Sequence, residues 1–102
     1  MKKVSGRYAD ISNRLRAIRE YYGMSSTEFA EEIGRPLKSY SQWESGENRI
    51  SIDGALSLRH RFGITLDFIY DGNLDALPFK IANALSSSPL VNASNKSTDT
   101  TV

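Results

Sequence analysis

The chain contains no cysteine. That removes disulfide frameworks and thiolate metal sites together. It has one histidine, His60, with no acidic, cysteine or serine partner arranged around it, so His60 reads as a surface or rim residue. There is no Gly-rich phosphate loop followed by lysine. Adjacent carboxylates such as Glu31 and Glu32 lie on different parts of a helix and cannot flank one bond. No catalytic constellation remains, so the expectation is a chain with no enzymatic activity, no cofactor and no metal. No run approaches the roughly 20 apolar residues that cross a bilayer. The start, MKKVSGRYAD, lacks the apolar stretch of a signal peptide. A cytoplasmic location with no membrane partner is expected.

A surplus of one charge is also missing: 13 Lys/Arg stand against 12 Asp/Glu. The distribution says more than the sum. Residues 1–23 hold six bases against two acids, whereas residues 24–46 hold two against four. A basic start beside an acidic middle can still present a positive face. At 102 residues and 39% apolar content, the chain is long enough for one domain with a modest core.

What is present is helical periodicity punctuated by glycine. Residues 1–9 read as a flexible basic arm, with Lys2, Lys3 and Arg7. Residues 10–22 read as a first helix capped by Asp10. Its apolar stripe is Ile11, Leu15, Ile18 and Tyr22, with Arg14, Arg16 and Arg19 off the stripe. In SSTEFAEEIG, Ser25 and Glu28 form a capping box, and Phe29, Ala30 and Ile33 share a face. Gly34 follows where a helix end wants positive φ. Arg35 is pushed out of the helical region by Pro36, which suits the first turn of a new helix, residues 36–45. Tyr40 and Trp43 turn its apolar side inward, leaving Leu37, Lys38, Ser41 and Gln42 outside. Two short helices with a small residue in the first and a glycine in the turn form a helix-turn-helix pattern.

Ser51 caps a fourth helix, residues 52–62, with Ile52, Ala55, Leu56 and Phe62 as its buried side and Gly54 inside it. That glycine costs about 1 kcal/mol against alanine. Thr65 caps a fifth helix, residues 66–71, which closes the core. A sixth short helix within residues 73–86 carries Leu77, Ile81 and Leu85 on one face. It either packs back on the domain or pairs with another chain. Residues 86–102 contain ten Ser, Thr or Asn among seventeen, and residues 87–102 read as a disordered tail.

From Asn13 to Gly72 the chain resembles the phage repressor and Cro-like (XRE) family of DNA-binding domains. The matching stretches, in order, are LRAIREYYGMS, FAEEIG, QWESGENRIS and FGITLDFIYDG. The resemblance implies an all-α fold. It predicts a compact five-helix domain at residues 10–72, with the short sixth helix and the tail outside it. It also implies a sequence-specific regulator of transcription, a repressor, that reads the major groove of double-stranded DNA with the helix 36–45.

The family's base-reading positions fall at Leu37, Lys38, Ser41 and Gln42. Gln42 suits adenine N6 and N7, and Lys38 suits guanine or a phosphate. Leu37 either presses on a thymine methyl or packs beside Tyr40 and Trp43. Phosphate contacts fall to Ser25, Ser26, Arg19, Ser45, Asn48 and Arg49. Arg19 and Glu44 occupy the positions of the family's salt bridge between the first helix and the end of the third. The sequence departs from the family pattern at Ser26, often glutamine, at Pro36, usually a Ser or Thr cap, and at Tyr40, usually a branched aliphatic. The implied assembly is a homodimer on an inverted repeat. The alternative is an antitoxin-type DNA-binding protein that also holds a protein partner through its C-terminal segment.

Overall fold

The computed structural model describes residues 8–94. Seven helices and no strand occur among the described residues. They are α1 (Ala9–Tyr21), α2 (Ser26–Glu32), α3 (Leu37–Glu44), α4 (Ile52–Phe62), α5 (Leu66–Asp71), α6 (Phe79–Ser86) and α7 (Pro89–Ser94). The hub is α1, which packs against α3, α5, α6 and α7, while α2 packs on α3 and α4 on α5. Ile11, Leu15 and Ile18 are buried in that hub, at the helical spacing that marks them in the sequence.

Local chemistry sets most helix starts. The Ser25 hydroxyl accepts from the Glu28 N–H at 3.1 Å, and the Glu28 carboxylate accepts from the Ser25 N–H at 2.8 Å. Those two bonds close the capping box. Ser51 and Thr65 cap α4 and α5 by accepting from Gly54 and Phe68. Pro36 precedes the first turn of α3 as its N-cap, with ψ 141°, so the helix runs from Leu37 to Glu44 rather than over 36–45. Likewise Asp10 lies inside the first turn of α1; Tyr8 is the N-cap. An acid inside the first turn still complements the helix dipole.

The core is aromatic at its centre. Phe29 of α2 stacks on Phe62 of α4, with centroids 5.4 Å apart, and meets the edge of Tyr40 of α3 at 5.3 Å. Phe62 also stacks on Tyr22, beyond α1. These contacts join α2, α3 and α4 through side chains distant in sequence.

Several expectations are corrected. Ile52 is 57% exposed, and Leu58 takes the buried place on α4. Ile52 is the first residue of α4, where the helix has not yet come down on the core. Arg14, off the apolar stripe, is nevertheless only 5% exposed. It donates to the carbonyl oxygen of Ile69 on α5 at 3.2 Å. Burial holds its pKa below the usual guanidinium value, opposed by the nearby charges of Asp10 and Asp71.

Ile81 and Leu85 of α6 are buried within the chain's own core, so this helix packs in cis. The expected disordered tail does not begin at residue 87: Pro89–Ser94 is helical and lies on α1, with Val91 buried. The polar average of the segment hides one apolar triplet, Pro-Leu-Val. The Ser88 hydroxyl starts the turn by accepting from Leu90 at 3.2 Å. Residues 1–7 of the expected basic arm and residues 95–102 of the expected tail lie outside the described residues.

Candidate nucleic-acid interface

Helix α3 has one side in the core and one in solvent. Tyr40 and Trp43 are buried, and Leu37, Lys38 and Ser41 are exposed; Gln42 is half-buried at the edge. Leu37 is 43% exposed, which answers the open question about it: it stands on the outer row and outside the core. An apolar side chain on an otherwise polar outer row suits contact with a methyl group.

The end of α3 is held from beneath by Glu44. Arg19 Nε donates to one carboxylate oxygen of Glu44 at 2.7 Å, and Arg19 Nη2 donates to the other at 3.1 Å. This is a two-pronged pair, the geometry for which guanidinium is suited. A further donor, Nη1, reaches the Met24 carbonyl at 2.9 Å. The Tyr40 hydroxyl donates to Glu44 as well, and the Ser12 hydroxyl donates to the Glu44 backbone carbonyl. Arg19 therefore ties α1 to α3 and to the α1–α2 turn. With three donors engaged inside the protein, it is a brace first, and little of it is left for a phosphate.

The pair leaves an electrostatic signature. The hydrogen bond to Glu44 raises the Arg19 pKa. Burial, then the charge of Glu44, push the Tyr40 hydroxyl far above its ordinary value of 10.0. Burial also raises Tyr22 and Tyr70. A tyrosine whose folded pKa is raised stabilises the fold relative to the unfolded chain only below the unfolded pKa. Above about pH 10 the unfolded chain releases the proton and the folded one keeps it, so stability falls. We expect unfolding free energy to drop above about pH 10 by about 1.4 kcal/mol per pH unit on account of Tyr40, the deeply buried one of the three. Denaturant melts between about pH 9 and 11.5 measure this. Tyr40→Phe should flatten the slope by one proton, and an unchanged slope would refute the assignment.

The remaining candidate residues lie around α3. Ser25 caps α2 with its hydroxyl and N–H both committed to Glu28. Ser26 opens α2, where backbone N–H groups lack helical partners. The Ser45 hydroxyl donates to the Gln42 carbonyl at 3.1 Å and accepts from the Glu47 N–H at 3.3 Å, so it shapes the loop that leaves α3. Asn48 and Arg49 are exposed on that loop. The Arg49 guanidinium lies over the Tyr8 ring, 5.8 Å from its centroid. The Tyr8 N–H donates to the Gly46 carbonyl at 3.2 Å, which places the start of α1 beside the end of α3. Tyr8, Arg49, Ser51 and Tyr70 line a shallow cleft beside this loop.

Sequence reasoning missed three of these features. The Tyr40–Glu44 bond could have been read from their i, i+4 spacing. The Ser12 contact to Glu44 and the Tyr8 contact to Gly46 join residues more than 30 positions apart and carry no local signal. Among the described residues, no three His, Asp or Glu side chains gather to hold a metal. No described helix is long and apolar enough to cross a membrane.

Comparison with known proteins bears on this arrangement. A protein of Pyrococcus furiosus, named as a candidate HTH-type transcriptional regulatory protein, is 49% identical over 49 residues. That stretch covers 48% of this chain and 16% of the relative, so the chain spans a small part of the relative's length. No solved structure matches. The helix-turn-helix family profile matches residues 15–69, more than half the chain and the whole of the α2–α3 unit with its brace. The chain thus belongs to the Cro/C1-type (XRE) helix-turn-helix family.

Proposed function

We propose that the protein is a sequence-specific regulator of transcription that lays α3 in the major groove of duplex DNA. The observation that carries this reading is the outer row Leu37, Lys38, Ser41 and Gln42 on a helix held from behind by the Arg19–Glu44 pair. A base-reading helix must meet the groove at one angle, and the brace supplies that angle. Lys38 and Arg49 give the face positive charge. Ser25, Ser26, Ser45 and Arg49 flank it as phosphate-contacting positions. The name of the Pyrococcus furiosus relative fits the same role.

Two such domains on one duplex would bind half-sites one helical turn apart, so we read the active form as a homodimer on an inverted repeat. The simplest output of an occupied operator is exclusion of the transcription machinery, which makes the protein a repressor. The antitoxin-type alternative needs an apolar C-terminal face for a protein partner. Ile81, Leu85 and Val91 are buried within the chain's own core, which favours the plain regulator, and Phe79 is the large apolar side chain that α6 leaves exposed.

Selection of bound duplexes from a random library at about 150 mM salt tests the reading, because low-salt binding says little about specificity. An enriched palindrome supports it, and a library recovered without enrichment overturns it. On the selected site, Arg49→Ala should weaken every duplex alike and lower the slope of log K against log salt by about one. A sequence-dependent loss would make Arg49 a base reader instead.

A further inference from the structure

The side-chain amide of Gln42 has a donor end and an acceptor end. An unconstrained glutamine matches adenine, donating from Nε2 to N7 and accepting at Oε1 from N6. Gln42 is constrained. The chain reverses just beyond α3 at Gly46, whose φ of 83° suits glycine. The reversal brings Asn48 back against the helix. The Asn48 backbone N–H donates to the Gln42 carbonyl oxygen at 3.1 Å, and Asn48 Nδ2 donates to Gln42 Oε1 at 3.1 Å. Asn48 therefore grips Gln42 at both its main chain and its side chain. It was expected to contact a phosphate, but its amide points into the protein's own reading row.

Building on the DNA-reading role proposed above, we infer that Asn48 is a positioning residue that commits Gln42 to guanine rather than adenine. With Oε1 engaged by Asn48, the Gln42 amide keeps both Nε2 protons for DNA and only one oxygen lone pair. Adenine N6 would have to converge with Asn48 Nδ2 on that one oxygen. Guanine needs nothing from it, because its major-groove edge offers two acceptors, O6 and N7, to the two Nε2 protons. The grip also holds the side chain in one conformation before DNA arrives, which lowers the entropy lost on binding.

The test is duplex selection with four proteins: wild type, Gln42→Ala, Asn48→Ala and Asn48→Asp. Gln42→Ala locates the base pair concerned as the position whose preference it erases. The wild type should favour guanine over adenine there by about tenfold. Asn48→Ala releases the amide, so adenine should become as well accepted as guanine at that one position. Asn48→Asp offers only acceptors. Gln42 must then turn Nε2 toward it and present Oε1 outward, and the preference should move to a base with an amino group, cytosine or adenine. A purely structural role would not reverse the preference. All four proteins should melt together, since Asn48 sits on an exposed loop.

The inference is overturned if the Gln42-dependent position already prefers adenine. It is also overturned if Asn48→Ala leaves that preference intact while weakening all duplexes and lowering the salt slope, which would make Asn48 a phosphate contact. In both of those cases the enriched operator still stands, so the regulator reading survives. A wild type that enriches nothing overturns both readings together.

Discussion

Glu44→Leu is expected to cost the fold about 3 kcal/mol and, with it, most of the sequence-specific affinity for DNA. The carboxylate is the meeting point of Arg19 Nε, Arg19 Nη2 and the Tyr40 hydroxyl. Its side chain is 11% exposed and that of Arg19 is 17% exposed, so water cannot easily replace it. Removing one partner of such a pair leaves a shielded cation and a buried phenol unpaired, which costs more than the intact pair contributes. The same change unties α3 from α1, so the outer row no longer meets the groove at one angle. Urea melts and a binding isotherm on the selected operator measure the two effects. The double variant Arg19→Met with Glu44→Leu should recover much of the stability, because no charge is stranded. It should recover less of the DNA affinity. If Glu44→Leu melts like the wild type, the pair is an ordinary surface contact and the brace has no role.

The second large effect is expected at Gly54→Leu. Glycine inside an exposed helix invites replacement, since a side chain there usually gains helix stability. Here α4 crosses directly over the indole of Trp43. A Cβ on residue 54 would stand 2.5 Å from Trp43 Cη2 and 3.1 Å from Ile50 Cγ1. The indole is buried and flat, with Tyr40 against its edge, so it cannot swing aside as a flexible chain would. Overpacking of this kind costs about 1–3 kcal/mol, and leucine should lie at or above the top of that range. The melting temperature should fall by more than about 10 °C. Gly54→Ala should also destabilise, against its helix propensity. An alanine variant that melted higher would show that α4 can lift off Trp43 without loss. Because Trp43 belongs to α3, a shift that relieves the clash also moves the reading helix.

These two positions show what was legible in the chain and what was not. Glu44 could be placed in the sequence, because the resemblance assigns it and Arg19 to one pair. Gly54 could be noted only as a cost, since nothing local reveals that Trp43 lies beneath it. The capping box at Ser25, the caps at Ser51 and Thr65 and the stripe on α1 were readable for one reason: each is a relation among residues within a few turns. Where a polar residue meets a distant backbone group, that logic fails. Arg14 looked solvated by its helical phase and is buried on Ile69, 55 positions away.

The same division runs through the interface. Part of the outer row of α3 follows from helical phase, because burying Tyr40 and Trp43 turns Lys38 and Ser41 outward; Leu37, three residues before Tyr40, flanks the buried face, and the folded chain put it outside. The chemical character of Gln42 does not follow from phase. It is set by Asn48, brought back by a turn whose direction depends on one glycine. By itself the sequence determined six of the seven described helices, the caps at Ser25, Ser51 and Thr65 and most of the side of α3 that can face a ligand, because those depend on short-range sterics and hydrogen bonds. Tertiary structure alone decided that α6 and α7 pack in cis, that Gly54 must remain small and that Gln42 presents its donor end. Those outcomes depend on which distant groups compete for the same space and the same hydrogen bonds, and only the folded chain brings those groups together.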